Sequence, residues 1–134
     1  AENSLRARHA DCRLLLVEDD AVNREIAIEL LENTGLHIDI AVDGAEAVAL
    51  AARHDYDLIL MDMQMPIMDG LEATRLIRTS THRPDVPIIA MTANAFTADK
   101  TRCLQSGMND FIAKPFNPDS LFAMILKWLS AGQP

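Results

Sequence analysis

The sequence contains little cysteine. Only two of its 134 residues are cysteines, Cys12 and Cys103, and two scattered thiols are too few for a disulfide framework or a cysteine-ligated metal cluster. We therefore expect the protein to function in a reducing compartment. Each cysteine is expected to behave as a small apolar residue.

Basic residues are also scarce. Lys and Arg number 12 against 20 Asp and Glu, which gives a net charge of -8 at pH 7. Because binding to a phosphate backbone draws most of its affinity from basic side chains, we do not expect this domain to bind nucleic acid directly. The acidic excess suits a cation site, but it is equally compatible with solubility alone.

Long apolar runs are absent. No run approaches the roughly 18 residues of a membrane span, and the first residues, AENSLRARHADC, lack the apolar centre of a signal peptide. We expect no membrane contact by this domain and a cytoplasmic location.

The length of the chain suits one domain. We assign this domain to residues 13–131, with a linker or tail at 1–12 and a tail at 132–134. The initial Ala, in place of Met, indicates a domain cut from a longer protein.

Short apolar runs alternate with segments of helical period along the chain. The predicted strands are 13–17, 37–41, 57–61, 87–91 and 110–113, and the predicted helices are 21–34, 44–54, 69–78, 97–106 and 118–130. Three apolar runs, at 14–17, 58–61 and 88–91, are uninterrupted, as expected for central strands covered on both faces. This order predicts an α/β fold, with a (βα)5 doubly wound parallel sheet of five strands between two layers of helices.

The predicted helices carry recognisable apolar faces and end signals. In the first, Ile26, Leu30 and Leu31 form a stripe, and Gly35 is a suitable helix stop. Asp43 is a plausible N-cap of the second. The last begins with a proline and has one apolar face, made of Leu121, Ile125, Trp128 and Leu129.

Polar residues follow four of the five predicted strands. They are Glu18, Asp19, Asp20, Asp62, Thr92 and Lys114. Any one of them is more simply explained as a helix cap or a solvated loop residue. Because open α/β sheets bind ligands beyond the carboxyl ends of their strands, the joint occurrence of all of them indicates a functional site.

The chemistry of such a set is restricted. Clustered carboxylates repel one another unless a hard cation lies among them, and Mg²⁺ accepts one or two carboxylates, a carbonyl oxygen and several waters. Beside the metal, Asp62 is the candidate nucleophile towards a phosphoryl group. Thr92 would contact a phosphoryl oxygen through its hydroxyl group, and Lys114 would pair with another.

Four motifs carry a resemblance to a known family. The motifs are VEDD at 17–20, LILMDMQMPIMDG at 58–70, PIIAMTANA at 87–95 and NDFIAKPF at 109–116. In order and spacing they resemble the response regulator receiver domains, the CheY-like family, over about residues 13–130. The resemblance implies a flavodoxin-like three-layer sandwich with strand order 2-1-3-4-5. It also implies that a phosphoryl group is accepted from a kinase phosphohistidine with the help of Mg²⁺, for which Mn²⁺ could substitute.

The resemblance also assigns roles to single residues. It implies that Asp62 is the phosphoacceptor, that Asp19 binds Mg²⁺ directly and Glu18 through water, and that the backbone carbonyl of Gln64 is a further ligand. Asp20 is the neighbour of this acidic pair and not a member of it.

The remaining assignments concern catalysis and switching. Thr92 matches the switch hydroxyl, Phe111 the switch aromatic and Lys114 the catalytic lysine of the family. The domain would catalyse its own phosphorylation and dephosphorylation.

The amino-acid sequences of the motifs are most similar to those of receiver domains of hybrid sensor histidine kinases. This implies a histidine kinase domain or a histidine phosphotransfer domain as partner, within a parent protein that could be a kinase and could be membrane-anchored. The surface formed by the predicted helices 97–106 and 118–130 with the strand 110–113 would change on phosphorylation and could form a homodimer.

Other interpretations share part of the pattern. A stand-alone adaptor or the receiver of a DNA-binding regulator would have the same site residues. A haloacid-dehalogenase-like phosphatase also uses an Asp after a buried strand, but it needs a second Asp two residues later, where this chain has Gln64.

Overall fold

The computed structural model describes residues 12–32, 36–62, 70–80, 86–92, 107–113 and 118–131. Five parallel strands form one sheet in the order β2-β1-β3-β4-β5. The strands are β1 (Arg13–Val17), β2 (His37–Ala41), β3 (Leu58–Asp62), β4 (Ile88–Thr92) and β5 (Asp110–Ala113). The predicted fold class and strand order are therefore confirmed.

The three uninterrupted apolar runs occupy the centre of the sheet. They form β1, β3 and β4, which have neighbours on both sides, and residues 14–17, 58–61 and 88–91 are all buried. Both β3 and β4 begin one residue later than predicted. For β4 the reason is Pro87, which has no N–H to donate to the hydrogen-bond ladder. Pro87 takes part only as an acceptor, since its carbonyl oxygen accepts from the N–H of Ile59 at 2.9 Å.

Four helices lie in the described part of the chain. They are α1 (Ala21–Leu31), α2 (Gly44–Arg53), α3 (Gly70–Ser80) and α4 (Pro118–Ala131). Asp43 is the N-cap of α2, as predicted, because its Oδ1 accepts from the N–H of Glu46 at 2.7 Å. The predicted helix 97–106, the predicted end of α1 at 34 and the stop at Gly35 lie outside the described residues. No described helix is both long and apolar enough to cross a membrane.

Each face of the sheet has its own core. On one face, alternate residues of β1, β3 and β4 pack with residues of α1 and α4 such as Leu31 and Ile125. On the other face, the intervening residues pack with residues of α2 and α3 such as Ala47 and Ile77. Because side chains of a strand alternate between the two faces, the central strands are apolar at every position. The result is the predicted three-layer arrangement.

The predicted apolar stripe of α1 is partly wrong. Ile26 is 46% exposed, whereas Ala27 and Leu31 are buried. One residue along a helix is a rotation of about 100°, so a helix that turns residues 27 and 31 towards the sheet places residue 26 at the edge of the contact. In α4 the predicted face is confirmed, since Leu121, Ile125 and Leu129 are buried and Trp128 packs partly buried against the same core.

A hydrogen-bond cluster fixes the start of β5. The guanidinium of Arg78, on α3, donates to the carbonyl oxygen of Gly107 through Nη2 at 2.7 Å and through Nε at 3.0 Å. It also donates to Oδ1 of Asn109 at 2.7 Å. Gly107 has φ +107°, a conformation that residues with a Cβ rarely adopt. These contacts lie before β5, at the opposite edge of the sheet from the acidic residues.

Candidate functional site

Strand register brings two of the acidic residues side by side. Val17, the last residue of β1, is paired with Met61 on β3. The next residue on each strand is acidic, so Glu18 and Asp62 lie at the same level of the sheet. By the alternation of β-strands, the side chain of Asp62, the last residue of β3, extends on the face that carries Leu60.

Three carboxylates meet at this edge. Glu18, Asp19 and Asp62 each offer one oxygen, and these oxygens all lie within 4.8 Å of one another. Glu18 is 1% exposed and Asp62 is 4% exposed, whereas Asp19 is open to solvent. Among the described residues, no other group of three or more His, Cys, Asp or Glu side chains is close enough to share a metal ion.

The donor set fits a hard divalent cation. All three ligand atoms are carboxylate oxygens, which Mg²⁺ and Ca²⁺ prefer, and no soft sulfur or imidazole ligand belongs to the group. Two of the three carboxylates are buried, where an uncompensated negative charge is expensive. A cation at this position would neutralise part of that negative charge and reduce the repulsion between the carboxylates. The exposed side of Asp19 leaves room for the waters that Mg²⁺ retains.

Asp20, the third acidic residue in sequence, has a different function. Its Oδ1 accepts from the backbone N–H groups of Val22 at 2.8 Å and Asn23 at 3.2 Å, which makes it the N-cap of α1. Its own N–H donates to Oε1 of Glu18 at 3.2 Å. The acidic pair of the resemblance, Glu18 with Asp19, is thus the pair that lies near Asp62, while Asp20 belongs to the helix.

Arg24 is a neighbour of the site that the sequence interpretation missed. Its Nη1 donates to the carbonyl oxygens of Glu18 at 3.1 Å and Asp19 at 2.9 Å. The sequence offered one signal. A cation near a helix N-terminus is disfavoured by the helix dipole, so an arginine at the fourth position of α1 needs a compensating contact.

The other predicted site residues are described only in part. Thr92 is the last residue of β4 and is paired with Ala113 on β5, one position beyond the pairing of Asp62 with Met91. The backbone of β4 therefore brings Thr92 to the same edge. Lys114, which follows Ala113, and Gln64 lie outside the described residues.

Phe111 lies on β5 and is partly buried. It packs against the core on the α2 and α3 face of the sheet. Its backbone N–H donates to Oδ1 of Asp110 at 2.9 Å.

Comparison with known proteins identifies the family. The family model described as the response regulator receiver domain matches residues 14–126. The chain therefore belongs to the response regulator receiver family, and it is a receiver domain of the two-component phosphorelay type.

Curated relatives include hybrid kinases and a transcription factor. Hybrid signal transduction histidine kinase B of Dictyostelium discoideum is 45% identical over 130 residues, which cover 88% of this chain and 7% of that protein. Transcription factor SKN7 of Saccharomyces cerevisiae is 38% identical over 129 residues, which cover 96% of this chain and 20% of that protein. This chain thus spans a fifth or less of the length of these relatives.

Solved structures agree on the fold. The receiver domain of the sensor histidine kinase PA1611 from Pseudomonas aeruginosa, with a magnesium ion coordinated in its active site cleft, is 44% identical and superposes with a TM-score of 0.83 over 89% of this chain and 98% of that one. The receiver domain of Ssk1 from Saccharomyces cerevisiae, crystallised with the histidine phosphotransfer protein Ypd1, is similar with a TM-score of 0.82, 32% identity and 90% coverage of both chains. Neither comparison supports the haloacid-dehalogenase alternative.

Proposed function

We propose that Asp62 of this receiver domain accepts a phosphoryl group from a phosphohistidine, in a site that holds Mg²⁺ between Glu18, Asp19 and Asp62. The observation that carries the proposal is the meeting of three carboxylate oxygens within 4.8 Å of one another at the carboxyl edge of the sheet. The backbone carbonyl of Gln64 would be a further ligand. Mn²⁺, which also binds oxygen ligands, could substitute for Mg²⁺.

The transfer requires one bond exchange. A carboxylate oxygen of Asp62 attacks the phosphorus, the P–N bond to the imidazole breaks, and the electron pair of that bond remains on the imidazole nitrogen. When bound, Mg²⁺ neutralises negative charge on the phosphoryl oxygens. Because Asp62 lies within β3 and is 4% exposed, the strand holds its carboxylate in place and limits its solvation.

Three further residues have proposed roles. Thr92 would donate its hydroxyl to one phosphoryl oxygen, and Lys114 would pair with another. Movement of Thr92 would allow Phe111 to change position, and this would remodel the surface around β5 and α4. The same groups would serve the hydrolysis of the phosphoryl group, so the domain would catalyse both its own phosphorylation and its dephosphorylation.

The larger context is proposed from the relatives. Two of them are hybrid histidine kinases, and the Ssk1 receiver was crystallised with a histidine phosphotransfer protein. We assign this domain to a hybrid sensor kinase in the cytoplasm, with a kinase domain or a phosphotransfer domain as partner and a parent chain that could be membrane-anchored. Similarity to a transcription factor favours one second candidate, the receiver of a DNA-binding regulator. In either of these two contexts, the proposed homodimer would form through β5, α4 and residues 97–106.

Phosphorylation by a small donor tests the proposal directly. The chain is incubated with Mg²⁺ and acetyl phosphate, and its intact mass is measured. The expected result is an increase by one phosphoryl group, which disappears when Mg²⁺ is chelated and in Asp62→Asn.

The matched control is Asp57→Asn. Asp57 precedes the same strand at the opposite edge of the sheet, where its Oδ2 accepts from the N–H of Arg13 at 2.8 Å, and an asparagine retains an acceptor oxygen. This variant should form the adduct as the wild type does. Absence of an adduct in the folded wild type, or an adduct that survives in Asp62→Asn, would refute the proposal.

A further inference from the structure

Arg24 binds the backbone of the acidic turn, residues 18–20, that connects β1 to α1. Its Nη1 donates to the carbonyl oxygens of Glu18 and Asp19, at 3.1 Å and 2.9 Å. Its backbone N–H donates to the carbonyl oxygen of Asp20 at 2.9 Å. A single residue therefore binds all three carbonyl groups of the turn.

Different contacts hold the two ends and the middle of the acidic turn. The N–H of Glu18 donates to the carbonyl oxygen of Ala41 at 3.1 Å, which attaches the start of the turn to β2. Asp20 is attached to α1 as its N-cap. Between these ends, the Arg24 side chain binds the carbonyl groups of Glu18 and Asp19, the two residues that carry carboxylates of the site. Rotation of either peptide unit would redirect those carboxylates.

We propose that Arg24 is a positioning residue of the metal site. Its guanidinium holds the acidic turn in the conformation that brings Glu18 and Asp19 near Asp62, and this raises the affinity of the site for Mg²⁺. The inference rests on the proposed function, because it concerns the same site. Arg24 acts through the backbone of the ligand residues, and hydrogen bonds from a charged donor of this kind are roughly twice as strong as neutral ones.

A guanidinium this close to the site also repels Mg²⁺, so the two effects have opposite signs. The repulsion is weakened by solvent, because Asp19 is exposed, and by salt, because the Debye length is about 10 Å at 0.1 M and about 3 Å at 1 M. The hydrogen bond to the carbonyl oxygen of Glu18 is partly buried, whereas the one to Asp19 is exposed. Both are direct contacts, at 3.1 Å and 2.9 Å, so salt weakens them less than it weakens the repulsion of a more distant Mg²⁺. We therefore expect the positioning effect to dominate and to become clearer at high salt.

Magnesium titrations of Arg24 variants test this assignment. The 134-residue chain is titrated with Mg²⁺ at about 0.1 M and about 1 M salt, with backbone amide resonances as the readout. In Arg24→Gln the dissociation constant for Mg²⁺ should rise about tenfold, as is usual when a residue that orients metal ligands is removed. Arg24→Lys keeps the charge but not the planar fork, and it should fall between Arg24→Gln and the wild type.

The matched control is Arg53→Gln. Arg53 is an exposed arginine in the last turn of α2, so the substitution removes the same formal charge without touching the acidic turn. Its affinity for Mg²⁺ should stay within about twofold of the wild type, since surface substitutions of this kind have small effects.

Phosphorylation kinetics separate positioning from a general loss of structure. With acetyl phosphate at saturating Mg²⁺, the rate in Arg24→Gln should return close to that of the wild type, because only the metal affinity has changed. Because Mg²⁺ binding also stabilises the fold, the circular dichroism of Arg24→Gln is measured without metal. It should match that of the wild type, whereas a chain with a general loss of structure would differ from it.

The outcomes distinguish this inference from the proposed function. An Arg24→Gln variant that binds Mg²⁺ as tightly as the wild type, or more tightly, would overturn the role of Arg24 and leave the role of Asp62 intact. If Arg24→Gln does not fold, Arg24→Lys decides by the same criterion. A wild type that forms no phosphoryl adduct would instead refute the proposed function.

Discussion

At the scale of single residues, three consecutive acidic side chains have two different functions. Glu18 and Asp19 lie with Asp62 in the carboxylate cluster, and Asp20 caps α1. The sequence could place the pair after the apolar strand, because a strand delivers the next residues to the sheet edge. It could not show the hydrogen bonds of Arg24, because these depend on how the turn folds back over the first turn of α1.

Substitutions at neighbouring positions should separate the two functions. Asp19→Asn should weaken Mg²⁺ binding strongly, because it removes a charged ligand, whereas Asp20→Asn should keep it, since asparagine is an equally good N-cap. Asp20→Ala should lower the free energy of unfolding by about 1 kcal/mol through loss of the cap. Magnesium titration and urea unfolding measure the two effects. Equal loss of Mg²⁺ affinity in Asp19→Asn and Asp20→Asn would contradict the assignment.

Tyr56 should make stability depend on alkaline pH. Burial, and the hydrogen bond that its hydroxyl donates to Oδ2 of Asp39 at 2.7 Å, raise the pKa of Tyr56 above its usual value. The folded state therefore favours the neutral phenol, and this contribution is complete below the unfolded-state pKa of about 10 and declines as the pH rises above it. Tyr56 is the only tyrosine in the sequence, so ionisation of a tyrosine can be assigned to it without ambiguity.

The comparison with Tyr56→Phe isolates this contribution. Below about pH 9 the wild type should be more stable than Tyr56→Phe by about 1 kcal/mol or more, the contribution of the hydrogen bond. Above about pH 10 that difference in the free energy of unfolding should shrink, because only the wild type has a tyrosine side chain that ionises in the unfolded state. Urea unfolding across this pH range tests it, and parallel pH profiles of the two proteins would contradict the prediction.

At the scale of helices and strands, the pattern of apolar residues predicted where the elements lie better than it predicted which face of a helix is buried. The uninterrupted runs identified the three central strands, because only a strand covered on both faces is apolar at every position. In α1 the apolar residues cover more of the circumference than the sheet can bury. Ile26 and Leu31 are both apolar in sequence, yet one is 46% exposed and the other is fully buried. Tertiary packing decides between them.

Alanine substitutions on α1 should show this difference. Leu31→Ala should lower the free energy of unfolding by about 2 to 5 kcal/mol, because it leaves a cavity in the core between α1 and the sheet. Ile26→Ala on the same helix should change it by less than about 1 kcal/mol, since surface substitutions have small effects and alanine favours the helix. Urea unfolding followed by circular dichroism measures both. Similar losses in the two variants would contradict the observed orientation of α1.

At the scale of the whole molecule, the sheet brings together residues that are far apart in sequence. Glu18 and Asp62 are separated by two helices and a strand, yet β1 and β3 are neighbours. The alternation of strands and helices predicted a shared edge for the strand ends. The strand order came from the resemblance to receiver domains, since many orders satisfy the alternation and only the packed sheet selects one.

Binding of Mg²⁺ should therefore stabilise the whole fold. A ligand that binds only the folded state adds about 2.7 kcal/mol to its stability at a concentration of 100 times the dissociation constant. Asp19→Asn should lose most of this gain, and without metal it should be at least as stable as the wild type, because one of three mutually repelling charges is gone. Asp119→Asn, which removes an exposed carboxylate from the first turn of α4, should retain the gain. Urea unfolding with and without Mg²⁺ tests this linkage, and an equal gain in Asp19→Asn would contradict it.

The central claim is that Asp62 is the phosphoacceptor, and chemical mapping of the phosphorylated residue tests it most directly. The chain is phosphorylated with acetyl phosphate and Mg²⁺ and then treated with sodium borohydride, which reduces an aspartyl phosphate to homoserine. Mass spectrometry of the digested chain locates the homoserine. The account predicts homoserine at position 62 and at no other position. Homoserine at another acidic position, or none in a folded wild-type chain, would contradict it.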